Sequence, residues 1–304
     1  MAMPVRRLLL VLLALTAAAG LAGGCGSAAP PDVAVAPTPT PAPARPPALT
    51  PPPAPTPTPT QTAAPTPPPP TVIDSRGCRP PVQHPNPVVL VYGTFAATSW
   101  RLIGPALAAR GYCVFTFSYG NLGTGEISQS AHQLATFVNR LLAQTHARRV
   151  SIVGHSEGGM MPRYYIRFLG GAAKVRDLIG LSPSNHGTEN PLALEGAMLG
   201  CTACGQQFAW GSSLLTRLNA SDETPAPVDY TTVETIYDEV VVPYTSAFLR
   251  GPAARVTNIT LQAACPADVS DHLAITEDPV ALRWVENALS RRGPADPSSR
   301  PACA

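Results

Sequence analysis

Six short apolar runs recur from residue 88 onward, at 88–92, 113–117, 150–153, 175–181, 230–236 and 256–261. Most are near-continuous in hydrophobicity and rich in Val and Ile, the pattern of strands buried on both faces. Segments with helical spacing lie between them, at 100–110, 128–145, 158–168 and 278–289. In the second of these, Ala131, Leu134, Ala135, Val138, Leu141 and Leu142 fall on one face. Strand and helix alternate. That predicts a three-layer α/β domain whose mostly parallel sheet of about six strands is covered by helices on both sides. A site in such a sheet belongs at the carboxyl ends of the strands.

One stretch breaks the alternation. Residues 189–228 carry Leu192, Leu194, Met198, Leu199, Phe208, Trp210, Leu214 and Leu215. Loops of about 40 residues are uncommon unless functional or partly helical. The greasiness of this insertion fits a lid or a pocket wall.

Before residue 74 the pattern is of another kind. Arg6 and Arg7 precede an apolar core, Leu8 to Leu15, and a run of small residues to Gly24, so residues 1–24 read as a signal peptide. Leu21-Ala22-Gly23-Gly24-Cys25 is similar to the lipobox of bacterial lipoproteins, with the Leu one place early for the commonest form. It makes Cys25 the expected lipidation site and new N-terminus; ordinary cleavage nearby is the alternative. From 25 to 73 the chain is a linker, with 19 prolines among the 41 residues from 30 to 70. A polyproline II-like stalk of that length reaches roughly 130 Å, enough to lift a domain away from a membrane. Residues 74–304 remain as one catalytic domain.

The cysteine count supports an anchor. There are seven, Cys25, Cys78, Cys113, Cys201, Cys204, Cys265 and Cys303. A lipid on Cys25 leaves six for disulfides in an oxidising compartment. The Cys201-Thr-Ala-Cys204 pair would need two more Cys or His to hold zinc, and none lies nearby in sequence, so no metal is assigned. Charge excludes one class of partner. Loss of Arg6 and Arg7 with the leader brings 21 basic residues down to 19, equal to the 19 acidic ones, so nothing points to nucleic acid.

The chemistry is carried by Gly154-His155-Ser156-Glu157-Gly158, set between Val-Ser-Ile-Val and a helical segment. A strand that turns into a helix in one residue projects that residue's side chain above the sheet edge. A Cβ at Gly154 or Gly158 would collide with the crossing strand and helix. Ser156 is therefore the candidate nucleophile, and the N–H of Glu157 is an oxyanion donor at the helix start.

This pattern resembles the α/β-hydrolase fold over residues 78–303, and within it the secreted bacterial lipases of actinobacterial type. The most specific stretches are Gly-His-Ser-Glu-Gly-Gly-Met-Met-Pro-Arg-Tyr-Tyr, Ser184-Asn-His-Gly-Thr188 and Tyr237-Asp-Glu-Val-Val-Val-Pro-Tyr244. The full fold has two antiparallel strands before the first parallel one. Residues 74–87 are too short and Pro-rich for them, so a minimal version is expected. The resemblance implies the chain order nucleophile, acid, histidine. Of the six histidines only His186 and His272 follow Ser156. His186 leaves no room for an acid strand before it, so His272 is the expected base, and a structural role is expected of His186. Asp238, with Glu239 as its neighbour, matches the acid of the lipases, and Asp268 and Asp271, which flank His272, are its competitors. Thr94 matches the second oxyanion donor, with Tyr92 where related lipases have His. The resemblance also guides the disulfides to Cys78–Cys113, Cys201–Cys204 and Cys265–Cys303. It implies an exported, monomeric lipase or carboxylesterase that needs no cofactor and acts on acyl ester or lipid substrates. A cutinase-like or envelope acyl hydrolase or acyltransferase, and a silent envelope-anchored binding protein, are the competing readings.

Overall fold

The computed structural model describes Ser75 and residues 77–303. The leader, Cys25, the linker and residue 74 lie outside them. The strands are β1 (Val88–Val91), β2 (Val114–Phe117), β3 (Val150–His155), β4 (Val175–Leu181), β5 (Asp229–Glu234) and β6 (Val256–Thr260). They form one sheet in the order β2-β1-β3-β4-β5-β6, and every pairing is parallel. The expectation of a mostly parallel sheet is met, and no strand precedes β1 among the described residues.

The side-chain alternation of β1 shows why these strands read as continuous apolar runs. Val88 and Leu90 face one core, shared with α1 (Ile103–Ala109) and α7 (Pro279–Leu289). Val89 and Val91 face the other, shared with α2 (Ile127–Thr145) and α3 (Glu157–Phe168). All four are buried, so neither face can be polar. The α2 stripe is seated as its spacing requires, with Ala131, Leu134, Val138 and Leu141 in that second core. Chain order places β1 in the interior of the sheet. The chain leaves it for the β2 edge, then returns past it to β3. The loops after β1 and β3 therefore open a crevice at their carboxyl ends, the usual ligand position in such sheets.

The insertion folds as three short helices, α4 (Pro191–Met198), α5 (Thr202–Phe208) and α6 (Ser213–Asn219). Its apolar residues divide. Phe208, Leu214 and Leu215 are buried in the core shared with α2 and α3, whereas Met198, Leu199 and Trp210 are exposed. Half of it is thus docked wall and half is an apolar surface. The side chains of Leu192 and Leu194 lie outside the described part.

All three expected disulfides are present, Cys78–Cys113, Cys201–Cys204 and Cys265–Cys303. The first ties the entry segment to edge strand β2, helped by Ser75, which exchanges hydrogen bonds with Val114. The third fastens the tail beside β6. Its loop spans 38 residues, against 3 for Cys201–Cys204. Closing the longer loop removes more freedom from the unfolded chain, so Cys265→Ser with Cys303→Ser is expected to cost about 2–4 kcal/mol. Urea unfolding of the oxidised protein and the double variant measures this; equal midpoints would contradict it.

Candidate active site

Ser156 has φ 54 and ψ −124, a conformation that a non-glycine residue adopts only under strain. The two flanking glycines permit it. A Cβ at Gly154 would lie 1.8 Å from the Gly158 carbonyl oxygen, and one at Gly158 would lie 2.3 Å from the Tyr92 oxygen and 2.4 Å from that of Val91. Helix, elbow and β1 are in contact through bare backbone. The loop after β1 also presses on the elbow, since a Cβ at Gly93 would come within 3.1 Å of the Ser156 Cβ. Thr94 follows at once, and Glu157 is the first residue of α3. Neither N–H has an acceptor in a preceding helical turn.

The structure brings His272 and Asp238 together from the loops after β6 and β5. His272 Nδ1 lies 2.8 Å from Asp238 Oδ2, and both residues are buried. The other carboxylate oxygen, Oδ1, accepts from the N–H groups of Val240 at 2.8 Å and Val241 at 2.7 Å. Burial disfavours ionisation of Asp238, but the neighbouring His272, the hydrogen bonds to it and from Glu234, and the Val241 N–H outweigh that and hold its pKa below the ordinary value. For His272, burial opposes the imidazolium, and the Asp238 carboxylate with Glu239 and Asp271 raises its pKa in net. Nδ1 is committed to Asp238.

The competing acids have other work. Asp271 Oδ1 accepts from the N–H groups of Leu273 and Ala274, and Asp268 Oδ1 from that of Ser270, so each closes its own turn. Glu239 Oε2 accepts the backbone N–H of His272 at 3.2 Å. His186 bridges Ser246 and Glu223 as a structural residue.

The structure thus has a strained serine at a strand-to-helix elbow and a buried His–Asp pair, carried by loops at the carboxyl ends of one sheet. A family model described as lipase (class 2) matches residues 85–285. The chain belongs to the class 2 lipase family. Among solved structures it is similar to Aspergillus fumigatus lipase B, with 26% identity over 70% of this chain and 54% of that one, and a TM-score of 0.62. It is also similar to the Bacillus licheniformis lipase BlEst2 in its propeptide form, with 13% identity over 71% of this chain and 52% of that one, at a TM-score of 0.51. The second likeness is one of fold alone. In both, the matched part spans about half of the other protein. The fold is that of the α/β hydrolases.

The chain also carries buried polar groups around its site that have no sequence signature. His155 is locked between two loops. Its Nδ1 lies 2.9 Å from the Thr98 hydroxyl, which accepts the Gly93 N–H at 2.7 Å, and its Nε2 lies 2.7 Å from the His272 carbonyl oxygen. Burial and the nearby His272 push its pKa down to about 3, so the ring is neutral, accepting at one nitrogen and donating at the other. One chain of hydrogen bonds thereby runs from the loop of Thr94 to the loop of His272. It answers how that loop is held with Tyr92 in place of His; Tyr119 adds a bond to the Tyr92 carbonyl at 2.8 Å.

Glu234, the last residue of β5, is a second buried acid beside Asp238. Its Oε1 accepts from the Ser182 hydroxyl at 2.8 Å and the Thr235 N–H at 2.9 Å. Burial, then the Asp238 charge, raises its pKa far above the ordinary value, so the pair carries one proton and Glu234 holds it.

Proposed function

We propose that this chain is an exported serine ester hydrolase, a lipase or carboxylesterase, and that the buried His272–Asp238 pair beside the strained Ser156 is what carries the reading. Ser156 Oγ attacks the ester carbonyl carbon while His272 Nε2 takes its proton. Asp238 keeps the Nδ1–H tautomer in place and stabilises the imidazolium. The N–H groups of Glu157 and Thr94 hold the oxyanion of the tetrahedral intermediate. His272 then returns the proton to the departing alcohol oxygen, leaving Ser156 acylated. A water, deprotonated by the same His272 Nε2, attacks the acyl carbon; the bond to Ser156 Oγ then breaks, Oγ takes the proton back from Nε2, and the acid is released.

The surroundings favour an apolar acyl chain over a small polar one. Exposed apolar side chains adjoin three of the working groups in sequence: Phe95 beside Thr94, Ile236 and Tyr237 before Asp238, and Leu273 after His272. Met198 and Leu199 add to this from the insertion. Water-insoluble acyl esters are the substrate class that such a mouth accepts. The test is labelling of Ser156 by a fluorophosphonate together with hydrolysis of a p-nitrophenyl ester chain-length series. A chain that neither labels nor turns over any ester would instead be the silent envelope-binding protein.

The leader, the small residues before Cys25 and the odd cysteine support export with a lipid anchor, the domain acting as a monomer on its stalk. Cys25→Ala is then expected to move the protein from the membrane fraction to the medium. A wholly soluble wild-type protein whose N-terminus is not Cys25 would contradict this.

A further inference from the structure

The Glu157 backbone serves the oxyanion; its side chain has no part in the steps above. That side chain is fully buried. Its Oε2 lies 2.6 Å from the Thr94 hydroxyl and 3.1 Å from the Gln207 amide nitrogen, which also reaches the Thr94 hydroxyl at 2.6 Å. Gln207, on α5 of the insertion, is fixed in turn by the Ser184 hydroxyl at 2.7 Å. One carboxyl oxygen thus joins the two residues expected to supply the oxyanion donors to the wall of the insertion.

The other oxygen decides the charge. Glu157 Oε1 receives no hydrogen bond, and the Tyr119 hydroxyl lies near the carboxyl. That hydroxyl already donates its proton to the Tyr92 carbonyl. A carboxylic acid protonated on Oε1 can donate to the phenol oxygen, whereas a carboxylate would leave Oε1 bare in the interior. Among the described residues no cation offsets the burial. The groups packed around the carboxyl are Thr94 from the loop after β1, Tyr119 after β2, Gly123 in the next turn and Gln207 from α5. Only Tyr119 among them titrates, and burial holds its phenol well above the ordinary value. Burial likewise pushes Glu157 up to about 8, against the hydrogen bonds from Thr94 and Gln207. The site's other titratable groups are His155, neutral, the His272–Asp238 pair, and Glu234 and Glu239 beside that pair.

We propose that the Glu157 side chain is a positioning residue that holds the oxyanion hole to the insertion as a neutral acid, and that its ionisation closes the alkaline end of the working pH range. This rests on the ester-hydrolase reading. Ionisation sets a negative charge beside the place where the oxyanion's own charge develops, opposing the transition state more than the ground state. It also removes the donor to Tyr119, so the phenol must turn from Tyr92 and release the loop of Thr94.

The test is kcat/KM of the full chain on a soluble short-chain p-nitrophenyl ester from pH 6 to 10, corrected for spontaneous hydrolysis, with circular dichroism at each pH. Wild type is expected to lose about tenfold per pH unit above a midpoint near 8. Glu157→Gln stays neutral and keeps a donor toward Tyr119, so its profile is expected to stay level to pH 10. Gln207→Met removes a donor that favours the carboxylate, so its alkaline midpoint is expected to rise by half a unit or more. A purely structural role would change rates in both variants without moving either midpoint. Coincident alkaline limbs in wild type and Glu157→Gln would overturn the proposal, as would no alkaline limb in wild type. If Glu157→Gln does not fold, an unmoved midpoint in Gln207→Met does the same. The two readings fail separately: a wild type that hydrolyses no ester, or a Ser156→Ala variant that hydrolyses as well as wild type, defeats the ester-hydrolase reading itself.

Discussion

Ser156→Ala is expected to abolish ester hydrolysis, a loss of roughly 10⁶-fold in kcat, while leaving the fold intact. The two halves of that expectation have separate causes. Chemically, nothing replaces Oγ as the atom that forms the acyl bond. Structurally, Ser156 makes no side-chain cap bond to α3, and alanine at φ 54 is no more strained than serine. Unfolding free energy is therefore expected to stay within about 0.5 kcal/mol of wild type. His272→Ala is expected to lose nearly as much activity, and the double variant no more than either alone, because the residues act as one unit. Turnover kinetics and fluorophosphonate labelling of the three variants decide it. Substantial turnover in His272→Ala would return attention to His186, although its ring is occupied on both sides by Ser246 and Glu223.

What could be read from the sequence was what local geometry dictates. The elbow was legible because the requirement for Gly154 and Gly158 is a matter of a few ångströms within a few residues. All six strands were legible because burial on both faces leaves no room for polar residues, as β1 shows. The boundaries drifted at their ends: Tyr92, Cys113 and Ile236 fall outside strands, and α1 begins at Ile103 rather than Trp100. Asp238 and His272 were placed by chain order and resemblance. Spacing alone could not distinguish Asp238 from Glu239, Asp268 or Asp271. The two backbone N–H groups converging on Asp238 Oδ1 and the Nδ1 contact at Oδ2 make the distinction. The buried polar shell was not legible. Gln207 and Glu157 are 50 residues apart, and His155 and His272 are 117 apart. Glu234 reads as an interior residue of an ordinary strand until the structure ends that strand there and the turn after it folds the Asp238 carboxylate back. These contacts exist only once the sheet order brings the loops after β1, β3, β5 and β6 to one edge.

Asp238→Asn is expected to lower kcat about 10⁴-fold with little change in KM. The hydrogen bonds around the carboxylate give the reason. Val240 and Val241 each donate an N–H to Oδ1, so that site demands an acceptor and the asparagine carbonyl must take it. The amide nitrogen is then forced toward His272 Nδ1, where it can only donate. The imidazole must move its proton to Nε2, the atom that should accept from Ser156, and the base is lost without loss of packing. The pH profile carries a second signature. The charge on Asp238 helps to lift the His272 pKa, and activity needs the neutral imidazole. The acid limb of wild-type kcat/KM is therefore expected above the ordinary histidine value of 6.5, with activity falling as the pH drops through it. Removing that charge lets burial dominate, so the residual activity of Asp238→Asn is expected to persist to lower pH than in wild type. Glu234 does not replace the missing charge, because burial, the largest cause of its raised pKa, still opposes its ionisation in the variant. Kinetics from pH 4 to 8 on the two proteins measure both effects. A loss below tenfold with an unmoved acid limb would mean that another of the nearby acids, Glu239 or Asp271, orients the base.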